Sequence, residues 1–152
     1  MTMWIKTYEY YEDSYVMGVF TKEEVVKNKS ETVKKIAKPE IEGLQEQIDR
    51  IKAERKPLQE AFFEMCNNPV DKDNPSYREY KKNRRLMAHR LEKYNTPIQN
   101  LKNKIANLQK ALDGDSFWVD VVLSRAHINY RDYILNEEHI PTEDEWEFYA
   151  SN

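Results

Sequence analysis

The sequence predicts an α+β protein: a small antiparallel β-sheet with a projecting antiparallel coiled coil. Six of the 18 aromatic residues lie in residues 1–20 and seven in residues 117–152, so the two ends of the 152-residue chain resemble the halves of one core. Between them, apolar side chains recur at spacings of three and four residues, the pattern of a helical coiled coil. We therefore predict a sheet platform from residues 1–38 and 113–152, and a helical hairpin from residues 39–112.

Strand-forming residues dominate both ends of the chain. Residues 4–11 and 15–20 are rich in aromatic and β-branched side chains and flank a polar turn at residues 12–14, which predicts a β-hairpin. Residues 117–123 have the same composition and follow the turn signal at residues 113–115, so we predict the third strand there. Residues 126–135 fit either a fourth strand or a short helix.

A helix is predicted to begin after the second strand. Thr21 and Glu24 have the spacing of a capping box, in which each residue binds the backbone N–H of the other. This helix is predicted to run toward Ala37, and Pro39 suits the first turn of a following helix.

The central region has the two seams of a helical hairpin. Each seam contains one arginine where an apolar residue is expected, Arg55 in the first and Arg84 in the second. The first seam consists of Ile41, Leu44, Ile48, Ile51, Arg55, Leu58, Phe62 and Met65. The second seam consists of Tyr77, Tyr80, Arg84, Met87, Leu91, Tyr94, Ile98, Leu101, Ile105, Leu108 and Leu112.

Turn-forming residues 67–75 separate the seams, so the two arms are predicted to fold back on each other. One antiparallel register aligns both seams, with Met65 opposite Tyr77 and Arg55 opposite Met87. A helix over residues 76–112 would be about 55 Å long, which predicts that the hairpin projects from the sheet. Pro57 and Pro97 favour bent or interrupted arms, and the alternative is a compact bundle of shorter helices.

The sequence lacks the residues that several classes of function require. The three histidines fit no metal-binding spacing, and the three glycines form no phosphate-binding loop. We therefore expect no enzyme, no catalytic residues, no metal and no cofactor. No apolar run reaches the roughly 20 residues that span a bilayer, and Cys66 is the only cysteine, which together favour a cytoplasmic protein without a membrane partner.

Charge is strongly segregated along the chain. Residues 76–112 contain ten Lys or Arg and two Glu, whereas residues 113–152 contain two Arg and ten Asp or Glu. Aromatic and arginine side chains together are typical of binding interfaces, so the loop end of the hairpin is the predicted contact surface. Its predicted binding residues are Tyr77, Tyr80, Lys81, Arg84, Arg85, Arg90 and Arg55. In the structural alternative, the two seam arginines only cover the seam with their stems and hold their charges in water.

Two other surfaces stay open as alternatives. The basic helix over residues 76–112 has enough positive charge to bind nucleic acid through phosphates. Acidic residues around Trp146 in the C-terminal segment could imitate a phosphate backbone, although a hydrated acidic tail is the more common reading of such composition.

Three segments also resemble a group of small uncharacterised accessory proteins of Gram-positive bacteria and their phages: residues 4–11, residues 16–24 and residues 117–121. In that group a β-hairpin leads to a helix and one more strand, and this chain differs by its long helical hairpin. The resemblance covers about forty residues and carries no catalytic motif.

These observations lead to one functional expectation. We expect a non-enzymatic protein-binding module, encoded by a phage and acting in the host cytoplasm as an inhibitor or modulator of a host-encoded protein. The alternatives are a nucleic-acid-binding protein and a self-assembling structural protein that forms a homo-oligomer.

Overall fold

The structure, a computed structural model, describes residues 2–134 and confirms the α+β class. Its elements are, in chain order, β1 (Thr2–Tyr10), β2 (Asp13–Thr21), α1 (Lys22–Asn67), α2 (Tyr77–Leu112), α3 (Ser116–Arg125) and β3 (Ile128–Ile134). These residues form two compact units, one from residues 2–31 and 123–134 and the other from residues 32–122. The boundaries fall inside α1 and α3, so each of these helices contributes to both units.

The sheet has three antiparallel strands in the order β2-β1-β3, which confirms an N-terminal hairpin joined by a C-terminal strand. In the centre of the sheet, Trp4 of β1 lies opposite Phe20 of β2 and Asp132 of β3. Tyr10 pairs with Asp13, so the hairpin turn consists of Tyr11 and Glu12 and begins one residue earlier than predicted.

The first turns of α1 pack against one face of this sheet. The Lys29 ammonium lies 5.4 Å from the ring centroid of Trp4 and 5.4 Å from that of Tyr130, a cation–π arrangement on both rings. The Tyr130 hydroxyl donates a hydrogen bond of 2.7 Å to Asn28 Oδ1, and Val25 is buried with 4% of its surface exposed. The N-terminal hairpin, β3 and the start of α1 therefore share one core.

The prediction of a strand at residues 117–123 is wrong, because this segment is the helix α3 and the third strand is β3. The Asp115 carboxylate accepts hydrogen bonds from the backbone N–H groups of Phe117 and Trp118, so Asp115 caps the helix. Along α3 the least exposed positions are those spaced for one helical face, including Val119 and Val122. Helical periodicity and the cap together override the β-propensity of the valines.

The prediction of separate helices before and after Pro39 is also wrong. α1 is one helix of 46 residues that contains Pro39 and Pro57, and α2 likewise continues through Pro97. All three prolines are exposed, so water can hydrate the carbonyls that lose their intrahelical donors. The helices are therefore not interrupted, and the alternative of several short helices does not apply to these segments.

The two seams are the least exposed positions of the helical hairpin. Every seam residue from Ile41 to Met65 is buried or half-buried, and so is every seam residue of α2 except Arg84. Ile48, Ile98 and Leu108 are at most 5% exposed. The heptad reading of the sequence therefore identifies the correct inner faces of both helices.

Two hydrogen bonds show how α1 and α2 run against each other. The Tyr80 hydroxyl donates to the Met65 carbonyl at 3.3 Å, and Arg55 Nη1 donates to Asn95 Oδ1 at 3.4 Å. The later residue of α2 contacts the earlier residue of α1, so the two helices are antiparallel as predicted.

The hydrogen bond from Arg55 to Asn95 joins side chains that start at different levels of the two helices. Asn95 lies eight residues beyond Met87, the predicted partner, which is about 12 Å along a helix. Helical side chains lean toward the N-terminus of their own helix, so in an antiparallel pair the side chains of Arg55 and Asn95 lean toward each other, and the long arginine covers much of this distance. The predicted register therefore stays a prediction.

The capping box at the start of α1 gives the first prediction. The Thr21 backbone N–H donates to Glu24 Oε2 at 3.0 Å, and the Glu24 N–H donates to Thr21 Oγ1 at 3.3 Å. Thr21→Ala removes one acceptor and is expected to lower the free energy of unfolding by about 1 kcal/mol, measured by urea denaturation. Thr21→Ser keeps the hydroxyl and is the control, expected to lose less than half as much. Equal stability of the alanine variant and the wild type would contradict this role of the cap.

Candidate functional site

Two of the predicted binding residues, Tyr77 and Tyr80, belong to the seam between α1 and α2. Both are half-buried, and their ring centroids lie 6.4 Å apart. The Tyr80 hydroxyl is occupied by its hydrogen bond to the Met65 carbonyl. These tyrosines therefore hold the loop end of the hairpin together and present little surface to a partner.

Arg55 also lies in the seam, and its guanidinium is only partly satisfied. Nη1 donates to Asn95, whereas Nε is buried and has no hydrogen-bond partner among the described residues. The stem covers the seam and the head reaches a polar side chain at its edge, which is the arrangement of the structural alternative. Arg55 is therefore not available to a partner in the way that the prediction required.

The other predicted residues are exposed cations of α2, but they point in different directions. Arg84 occupies a seam position and is nevertheless exposed. Lys81 and Arg85 directly follow the seam positions 80 and 84, whereas Arg90 directly precedes the seam residue Leu91. Residues that follow and residues that precede a seam position lie on opposite sides of a helix pair, so Arg90 is separated from Lys81 and Arg85.

The side that contains Lys81 and Arg85 also receives an aromatic residue from α1. In an antiparallel pair, residues that follow seam positions on both helices lie on the same side of the pair. Phe63 follows the seam residue Phe62, and 67% of its surface is exposed. We call the surface formed by Phe63, Arg78, Lys81 and Arg85 the Phe63 face.

These four residues lie at the same level of the hairpin. The hydrogen bond from Tyr80 to the Met65 carbonyl places the start of α2 beside the last turns of α1. Phe63 is two residues from Met65, and Lys81 directly follows Tyr80. An exposed aromatic ring and three cations therefore occupy one end of one side of the hairpin.

The cations of this region have little internal compensation. An open groove of about 800 Å³ contains Arg78, Lys81, Lys82 and Arg85, with Glu79 as its one carboxylate. Among residues 2–134, none of these four cations forms an ion pair. Their summed positive potential is therefore available to attract an anionic group.

A second groove, of about 590 Å³, surrounds Phe63 on α1. Its lining is mixed, with Glu60, Glu64, Gln59 and Asn67 around the ring. Lys56 lies 4.0 Å from Glu60 on the next turn of the same helix, and with Glu64 the lining has one cation and two carboxylates, so this groove carries a net charge of −1. Positive charge is therefore concentrated on the α2 side of the Phe63 face.

The sequence prediction did not include Phe63 or Arg78. Both follow a seam residue directly, and this relationship can be read from the heptad pattern once the arms are known to be antiparallel. The sequence predicts Arg84 as one of the two seam arginines and Arg90 as a cation of the same basic helix. A helix turns by about 100° per residue, which places Arg90 on the other side of the helix pair from Lys81 and Arg85.

The described residues also bear on three other features: a metal site, a membrane-spanning helix and the acidic C-terminal segment. Within residues 2–134 no group of three or more His, Cys, Asp or Glu side chains is arranged to hold a metal ion. Over the same part of the chain, no helix combines the length and the apolarity needed to cross a membrane. The acidic segment around Trp146 lies outside the described residues.

Comparison of the chain with protein-family models, with curated proteins and with solved structures finds no match. The resemblance to phage accessory proteins therefore stays a prediction.

The buried guanidinium of Arg55 gives the second prediction. Arg55→Met keeps the apolar stem and removes the buried, unpaired Nε–H, while the exposed Asn95 can bind water instead. The free energy of unfolding is expected to stay unchanged or to rise by up to about 1 kcal/mol in urea denaturation. Arg55→Ala also removes the stem and is expected to destabilise the protein. A loss above about 1 kcal/mol for the methionine variant would show that the charge itself stabilises the hairpin.

Proposed function

We propose that the protein is a non-enzymatic protein-binding module whose Phe63 face binds an acidic surface of another protein. The observation that supports this most directly is the exposed ring of Phe63 at the same level as Arg78, Lys81 and Arg85, whose charges have no ion-pair partner among the described residues. Aromatic and arginine side chains are enriched among the residues that contribute most to binding at protein interfaces.

The chemistry of the face indicates the chemistry of the partner. Carboxylates of a partner would meet Arg78, Lys81 and Arg85, and an apolar pocket or side chain would cover Phe63. Complementary charge accelerates association and selects among partners, whereas the buried aromatic contact contributes most to affinity. A partner surface with clustered Asp or Glu beside an apolar patch fits both requirements.

Nucleic acid is the competing ligand for the same cations. A phosphate backbone would use Arg78, Lys81, Lys82 and Arg85 but gains little from a ring on the side of α1. The carboxylates Glu60 and Glu64 beside Phe63 would repel a backbone that extended across the face. The arrangement of the face therefore favours a protein partner over a polyanion.

The source of the partner follows from the resemblance described above. A phage accessory protein acts in the host cytoplasm on host components, and a module without catalytic groups acts there by occupying a surface. We therefore propose a host-encoded partner whose activity the binding inhibits or modulates.

The third prediction tests the Phe63 face by charge reversal. A triple variant, Arg78→Glu with Lys81→Glu and Arg85→Glu, is expected to lose at least about 90% of its capture of the partner from bacterial lysate. Phe63→Ala is expected to weaken capture by at least about tenfold, because the ring is the apolar anchor of the face. Both variants should unfold at the wild-type temperature, since all four side chains are exposed.

The matched control reverses three equally exposed lysines elsewhere on α2: Lys93→Glu, Lys102→Glu and Lys104→Glu. It changes the net charge by the same amount and is expected to retain full capture. Capture is performed with and without nuclease, followed by mass spectrometry. Equal loss in both triple variants, or a signal that disappears with nuclease, would reject the proposal in favour of general electrostatics or nucleic-acid binding.

A further inference from the structure

A cluster of aromatic rings lies at the turn of the β-hairpin, apart from the Phe63 face. Tyr8 is 6.4 Å from Tyr10 and 6.4 Å from Tyr15, measured between ring centroids. The His127 ring stands edge-on to Tyr8 and Tyr10, at 6.3 Å and 5.5 Å. Tyr11 stands edge-on to Tyr10 at 4.4 Å. We call these five residues the tyrosine cluster.

Most of this aromatic surface is open to solvent. Tyr10, Tyr15 and Tyr11 are 45%, 58% and 90% exposed. Tyr8 and Tyr15 are paired across β1 and β2, as are Tyr10 and Asp13, so these four side chains share one face of the sheet. The rings therefore form a continuous surface with a carboxylate beside it.

Two members of the cluster have an unusual backbone conformation. Tyr11 has φ of 54° and His127 has φ of 59°, and no other non-glycine residue among the described ones has positive φ. Glycine adopts this region freely, whereas other residues do so at a cost. Such residues concentrate at binding sites, where the side chain matters more than the local cost. At these two positions the backbone conformation costs more energy for the tyrosine and the histidine than it would for glycine.

Hydrogen bonds fix the His127 turn. The His127 N–H donates to the Ser124 carbonyl at 3.0 Å, and the His127 carbonyl accepts from the Glu9 N–H at 2.8 Å. The imidazole is therefore held against Tyr8 and Tyr10 by a defined backbone.

The charge beside the cluster is negative. Glu12 and Asp13 are both exposed in the hairpin turn, and neither forms an ion pair with another described residue. A ligand that stacks on these rings would therefore gain from a positive charge and lose from a phosphate. This argues against a nucleobase ligand, although tyrosines alone could stack on bases.

We propose that the tyrosine cluster is a second binding site, which takes a proline-rich peptide segment that contains an arginine or lysine. Polyproline II segments have no internal hydrogen bonds, so their carbonyls can accept from tyrosine hydroxyls. Their proline rings fit grooves between aromatic side chains, and the preformed helix loses little entropy on binding. The rings of Tyr11 and His127 stand edge-on to Tyr10 and flank it, whereas the nearly parallel rings of Tyr8 and Tyr10 offer a proline ring a flat face. Glu12 and Asp13 bind the basic residue of the peptide.

The fourth prediction tests this site by titration of the full chain. The probe is a ten-residue peptide with alternating prolines and two terminal arginines, followed by amide chemical shifts in nuclear magnetic resonance. Binding is expected to shift the amides of Tyr10, Tyr11, Tyr15 and His127. Tyr10→Ala and Tyr15→Ala are each expected to weaken binding at least about tenfold. Tyr133→Ala is the matched control, because Tyr133 is 48% exposed on β3 and lies outside the cluster.

A second pair of variants separates binding from folding. Tyr11→Gly and His127→Gly remove a ring and also relieve the positive φ. Each is expected to keep or raise the unfolding temperature and to weaken peptide binding. Control peptides replace the arginines by glutamates, or the prolines by glycines, and are expected to bind at least about tenfold more weakly.

Three results would overturn the proposal. One is the absence of chemical-shift changes at about 1 mM peptide. Another is binding that survives removal of Tyr10 and Tyr15. The third is binding of a single-stranded oligonucleotide or an oligosaccharide at the cluster in preference to the peptide.

Discussion

The fold depends on the central position of β1. One edge of β1 pairs with β2, which follows it directly, and the other edge pairs with β3, which follows 117 residues after β1 ends. Strands in a sheet lie about 5 Å apart, so the chain must leave after Thr21 and return at Ile128 to within about 10 Å of β2. The chain between Thr21 and Ile128 must therefore reverse its direction, and the antiparallel pairing of α1 with α2 provides such a reversal.

The sequence predicts the elements that local chemistry specifies. The capping box of Thr21 and Glu24, the β-hairpin and both seams can be read directly because each depends on neighbouring residues or on a regular period. The third strand cannot be read in this way, since the valines of α3 favour a strand by composition while their spacing and the Asp115 cap favour a helix. Pro39 by itself predicts a helix start, and its exposed position in α1 explains why the helix continues through it. The hydrogen bond of Arg55 with Asn95 cannot be read from the sequence either, because no local pattern contains it.

The candidate site also has residues that the sequence predicts and residues that it does not predict. The sequence identifies the basic end of α2, and the structure shows that the residues of this end lie on different sides of the helix pair. Arg55 and Arg84 occupy equivalent seam positions, yet one is half-buried beside Asn95 and the other is exposed. The sequence analysis does not predict Phe63, because this residue belongs neither to the seam of α1 nor to the basic helix α2. Only the side-by-side placement of two antiparallel helices shows that Phe63 and Lys81 belong to one surface.

The pairing of β1 with β3 also determines the order in which the molecule can fold. Glu9 and Asn129 form a 2.7 Å hydrogen bond across 120 residues of sequence, and Tyr130 reaches Asn28 of α1 across 102 residues, whereas α1 and α2 contact each other across a loop of nine residues. Local contacts form early and distant ones late, because the entropy of closing a long loop must be overcome first. During synthesis at about 5–20 residues per second, β1 waits roughly 6–25 s before β3 has been made. Through that interval the nascent β-hairpin leaves open the edge of β1 that β3 later covers, and its unpaired N–H and C=O groups can pair with a strand of another chain.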